Sequence, residues 1–127
     1  MRDGRQSWPQ IGLLCLALMI LGLVGCRARQ SPDKVAQQLQ ESFQKSDAAI
    51  ASEVVQVSTA LKASNYTEAI VIMDRVVQRQ SIDTTQKKAV DALIIQAREA
   101  IDRNPKLDSP QLYQALSDLL VRVHGEN

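Results

Sequence analysis

From Arg27 to His124 the chain contains no glycine, although four of its five glycines (Gly4, Gly12, Gly22 and Gly25) lie within the first 25 residues. The glycine-free part cannot supply the Gly-rich loop that cradles a phosphate. What it carries instead is apolar residues at steps of three, four and seven, the period of one helix face. The only tryptophan, Trp8, and one of the two cysteines, Cys15, also belong to the N-terminal part. Two compositions in one chain imply two fates. At 127 residues, one folded domain is the expectation.

The helical part begins at Ser31-Pro32-Asp33, which combines an N-cap serine, proline in the first turn and an early acidic residue. Val35, Leu39, Phe43, Ile50, Val54, Val57 and Leu61 then mark one face, with a gap at Ser46-Asp47. A continuous helix over 32–62 would be about 45 Å long. Ala63-Ser64-Asn65 forms a turn, and Asn65 with Glu68 has the capping-box spacing. A second helix over 66–80 turns Tyr66, Ala69, Ile70, Met73, Val76 and Val77 inward. Asp83 and Gln86 offer another box, opening a third helix over 84–103 with Val90, Leu93, Ile94, Ala97 and Ile101 inward. Asn104-Pro105 stops it. Ser109-Pro110 starts a fourth over 110–124, with Leu112, Tyr113, Leu116, Leu119, Leu120 and Val123 inward. The Val-Val and Ile-Ile pairs fall inside helical periodicity, so no strand is expected. The fold class that follows is all-α, a small antiparallel bundle of about four helices with short connections.

The N-terminal part has a different grammar. Arg2 and Arg5 outnumber Asp3, and residues 11–24 then carry no charged or strongly polar side chain. A positive start, a short apolar run and small residues at its end make a secretory signal. Its 14 apolar residues would span about 21 Å as a helix, short of the roughly 30 Å hydrocarbon core. An N-terminal helix apolar on every face would need a larger core than this chain can build around it.

The run ends Leu23-Val24-Gly25-Cys26. This resembles the lipobox of bacterial lipoproteins, which has Leu, a small or branched residue, Gly or Ala, then Cys. Small residues suit the peptidase cleft, and the thiol alone can take a thioether-linked diacylglyceryl group. The resemblance covers residues 1–26. It implies lipid transfer to Cys26, cleavage between Gly25 and Cys26, and acylation, commonly with palmitate, of the new amino terminus. Two or three acyl chains anchor a protein stably where one does so only marginally. By the same resemblance, Arg27 rather than Asp after the cysteine favours the periplasmic face of the outer membrane if the host is diderm. The domain plan is then a signal peptide over 1–25, a lipidated tether over 26–31 and a helical domain over 32–127. Loss of Cys15 with the signal and lipidation of Cys26 leave no thiol for a disulfide, so stability must come from packing. Removing Arg2, Arg5 and Asp3 leaves 13 basic and 13 acidic residues in the mature part.

Ser64-Asn65-Tyr66-Thr67-Glu68-Ala69-Ile70, with Met73 and Val76, is similar to the turn and second helix of a tetratricopeptide repeat, in register over residues 50–83. There a tyrosine packs at the helix start and a small alanine lets two helices approach closely. Val57 stands where that family has Gly or Ala, and Ser81 where it has Pro. No second copy follows at this period, whereas stable arrays need about three.

Composition excludes more than it assigns. A net charge of +1 lacks the basic excess of a nucleic-acid binder, and 3% aromatic residues leave little for stacking sites. Two cysteines and one histidine do not make a multi-Cys or His-rich metal site. His124 reads as a solvated helix-end residue whose charge suits a helix C-terminus. Asp91 with Lys87, and Glu99 with Arg103, have the four-residue spacing of surface ion pairs, and Asp74 and Asp102 lie among further cations. Ser42-Phe43-Gln44-Lys45 matches a Ser-x-x-Lys pattern by chance, without companion motifs. No enzyme, cofactor or metal is expected. The expected function is a lipid-anchored envelope lipoprotein with a helical protein-interaction domain, for example an assembly accessory. Its partners are the membrane and either an envelope protein or itself. The alternative is a structural lipoprotein that self-associates through a long helix over 32–62.

Overall fold

The structure is a computed structural model that describes residues 30–125. They form five α-helices and one 3₁₀ turn: α1 (Pro32–Ser42), α2 (Ala48–Lys62), α3 (Tyr66–Arg79), α4 (Thr84–Arg103), the turn Pro105–Leu107 and α5 (Pro110–His124). The all-α class holds, and there is no strand among the described residues.

The single helix expected over 32–62 is two. Phe43 closes α1, its N–H donating to the Leu39 carbonyl. Asp47 then takes an extended conformation and accepts the Ile50 N–H at 2.9 Å, opening α2. Ser and Asp side chains compete with the helical backbone and favour caps, so Ser46-Asp47 restarts the chain. The seven-residue step from Phe43 to Ile50 disguises this, because one apolar face fits a continuous helix or a folded-back pair equally well. Folding back lets both halves bury that face against each other. Where α1 and α2 cross, the residues are small, and the buried Ser58 hydroxyl donates to the Ala36 carbonyl at 3.2 Å.

The remaining boundaries follow the capping chemistry of the sequence. Ser31 accepts the Lys34 N–H, and Pro32 begins α1. The end of α2 is a Schellman turn: the Asn65 N–H reaches the Ala60 carbonyl at 2.8 Å and the Ser64 N–H reaches Leu61 at 3.0 Å. Ser64 is the one non-glycine residue with positive φ among the described residues, at 61°. Asp83 and Gln86 complete a reciprocal capping box at α4, and the Gln86 amide also donates to the Ser42 carbonyl at the end of α1. Ser109 caps α5 by accepting the Leu112 N–H.

Neighbouring helices close into a ring. α1 packs on α2 and α4, α3 packs on α2 and α5, and α4 completes the circuit against α5 while touching α3 across the middle. The core fills this ring with Leu39, Phe43, Val54, Leu61, Ile70, Met73, Leu93, Leu112 and Leu119, all with essentially no exposed surface. The circuit is weakest between α4 and α5, which approach over the smallest contact of the ring.

Two residues expected inside are outside. Tyr113 is 71% exposed and Leu120 39%. Each lies one residue, about 100°, further round α5 than the buried Leu112 and Leu119. α5 buries the side that meets the rest of the bundle, chiefly α3. Its apolar stripe is wider than that contact and spills toward the gap beside α4.

Candidate functional site

Leu23, Val24, Gly25 and Cys26, the expected lipobox with its expected lipidation and cleavage positions, lie outside the described residues. Within them, an apolar concave feature lies in the gap between α4 and α5, a groove of about 310 Å³. Ile94 and Ile101 line it from α4, and Tyr113, Leu116 and Leu120 from α5. Arg98, Asp102 and Asp108 stand at its edges, and none of the three forms an ion pair with another described residue. The groove opens at the half of the bundle where α4 ends and α5 begins. Because the start of α4 meets the end of α1, that half also contains the start of α1.

Sequence periodicity named most of these residues but assigned them to the core. The overlooked signal was the width of the α5 stripe, which extends from Leu112 and Leu119 round to Tyr113 and Leu120. A helix with one close neighbour cannot cover all of it.

The other candidates resolve into ordinary structural roles. His124 is not a free helix end: its Nε2 lies 2.6 Å from Asp91 Oδ1 on α4. This pair replaces the expected Asp91–Lys87 contact. Both side chains are substantially exposed, and no hydroxyl among the described residues hydrogen-bonds the ring. Asp74 bonds Arg122 of α5 at 2.8 Å, and Glu53 bonds Arg79 at 2.9 Å. These ion pairs link different helices, whereas the expected Glu99–Arg103 pair within α4 is absent among the described residues. The second oxygen of Glu53 is buried without a partner, although the side chain as a whole is 15% exposed. The Ser42 hydroxyl donates to its own helix at the Gln38 carbonyl, 2.6 Å away, which leaves no activated Ser–Lys pair. Among the described residues no three His, Cys, Asp or Glu side chains are grouped to hold a metal. No described helix is long and apolar enough to cross a membrane.

The α2–α3 hairpin is the most extensive helix pair in the bundle. Tyr66 and Ala69 are buried, and so is Val57, at the position where tetratricopeptide repeats carry a smaller residue. Comparison with family models, with curated proteins and with solved structures finds no match.

Proposed function

We propose that this protein is a lipid-anchored lipoprotein of the bacterial envelope whose helical domain acts by protein contact and not by catalysis. One observation carries the proposal: Leu23-Val24-Gly25-Cys26 directly follows an apolar run that is preceded by Arg2 and Arg5. The thiol of Cys26 takes the diacylglyceryl group, and residues 1–25 leave as the signal peptide. In a diderm host, Arg27 directs the anchored product to the periplasmic face of the outer membrane.

The helical domain supports an interaction role through its surface. Several of its polar side chains are engaged in caps and inter-helix pairs, while an apolar groove between α4 and α5 stays uncovered. An assembly-accessory role fits such a domain. Self-association through one long helix has lost its premise, because residues 32–62 form the antiparallel pair α1 and α2.

Mass spectrometry of the intact chain expressed in a bacterium tests the anchor. The expected product begins at Cys26 with a thioether-linked diacylglyceryl group, and Cys26→Ser yields a chain that is neither lipidated nor cleaved at this site. An unmodified Cys26 thiol in the wild type, or residues 1–25 still attached, overturns the assignment.

A further inference from the structure

We infer that the open pocket where α3 ends, α4 begins and α5 ends is a binding site for a phosphate group, with Lys87 as its central cation. This goes beyond the interaction role above and does not require the anchor.

The pocket has a volume of about 570 Å³, within the usual size of a small-ligand site. Three elements each bring one cation to its lining: Arg79 is the last residue of α3, Lys87 the fourth of α4, and Arg122 stands in the last turn of α5. No carboxylate of the described residues lines it. Those on the neighbouring turns are engaged elsewhere. Glu53 holds Arg79, and Asp74 holds Arg122 and the Gln78 amide. Asp83 caps α4, Asp91 meets His124, and Asp118 accepts the Gln114 amide. Beyond Gln80 and Ser81, Glu41 accepts the Gln37 amide.

The two arginines have structural reasons to be where they are. Each stands in the last turn of its helix, where positive charge suits the dipole, and each is tied to one carboxylate. Lys87 has neither reason. It is half-buried and has no ion-pair partner among the described residues. Its helix begins at Thr84, so the dipole disfavours a cation there. Asp91, the carboxylate at the four-residue spacing, is taken by His124. A partly desolvated cation that shares a pocket with two others is costly, and a bound anion relieves that cost. Each arginine is held through a single nitrogen, Arg79 by Nη1 and Arg122 by Nε, so both guanidinium groups keep further N–H donors. A phosphate monoester carries about −1.5 to −2 charge at pH 7 and three acceptor oxygens. That matches cations arriving from three elements better than one carboxylate does, and charge-assisted bonds of this kind are the strong ones.

Calorimetric titration of inorganic phosphate into the full chain in non-ionic detergent tests this, with amide shifts followed by NMR. Saturable binding is expected, with shifts centred on residues 77–82, 87 and 122–123. Lys87→Gln is expected to weaken binding at least about tenfold, with helix content by circular dichroism unchanged. Lys88→Gln, at an exposed neighbour outside the pocket, leaves binding unchanged. Glycerophosphoglycerol, a water-soluble phospholipid headgroup, separates two sources of the phosphate. Binding of inorganic phosphate alone supports the site with a free phosphate or monoester as its ligand, and binding of the diester supports it with a lipid headgroup. The inference is overturned if neither binds saturably, or if the shifts spread to the remote Lys34, Lys62 and Lys106. It also fails if Lys87→Gln binds as tightly as the wild type, or if Lys88→Gln loses as much. Lipidation of Cys26 is measured separately, so failure here leaves the anchor assignment standing.

Discussion

Ser64 shows how much one residue can reveal. The turn between α2 and α3 needs a left-handed residue at this position to complete the Schellman bonds to Ala60 and Leu61. L-residues other than glycine pay for that conformation with roughly 1–2 kcal/mol of steric strain. Ser64 is exposed, so no packing depends on its side chain. Ser64→Gly is therefore expected to stabilise the protein by about 0.5–1 kcal/mol, after the added freedom of glycine in the unfolded chain is subtracted. Urea denaturation reads this directly, and a lower midpoint would disprove strain at that turn. The sequence marked Ala63-Ser64-Asn65 as a turn but could not show which residue takes the positive φ, because none of the three is glycine. At the same scale, Ser58 carried no sequence signal. Its burial arises only because α1 crosses α2 at Ala36.

At the scale of elements, helix starts were legible and a helix break was not. Ser31, Asn65, Asp83 and Ser109 each cap the helix that the sequence placed after them. Capping is local chemistry, settled by a side-chain oxygen and an N–H two or three residues away. Asp47 has the same chemistry, but an unbroken apolar face hid it. Asp47→Ala is expected to cost about 1 kcal/mol, the usual cost of a lost N-cap, measured by chemical denaturation. Helix content by circular dichroism should not rise. Joining α1 to α2 would pull Leu39 and Phe43 out of the core, and a buried phenylalanine alone is worth about 3–5 kcal/mol. A gain in helicity with this variant would mean that residues 32–62 are held apart only by the cap.

At the scale of the whole molecule, the ring of helices rests on apolar burial. Its Arg79–Glu53 and Arg122–Asp74 ion pairs and the His124–Asp91 hydrogen bond, among the described residues, lie at helix surfaces with one or both partners substantially exposed. Pairs of this kind contribute roughly 0–1 kcal/mol each. Sodium chloride at about 1 M, where the screening length is near 3 Å, should therefore change unfolding stability by no more than about 2 kcal/mol, about 1 kcal/mol for each Arg–carboxylate pair. A larger loss in a salt titration would show that these inter-helix pairs, and not the core, hold the ring closed.

Amino-acid order alone determined the helical class, the caps and most of the buried positions, because these depend on neighbours within one or two turns. It also placed the Leu23–Cys26 motif, whose meaning is chemical and independent of the fold. Tertiary structure alone decided that residues 32–62 fold back on themselves, that His124 meets Asp91, and that Tyr113 and Leu120 face outward. Each of these depends on which helix lies alongside which. An apolar stripe records that a face is to be covered, but the element that covers it, or leaves it open, is set by how five helices share one core.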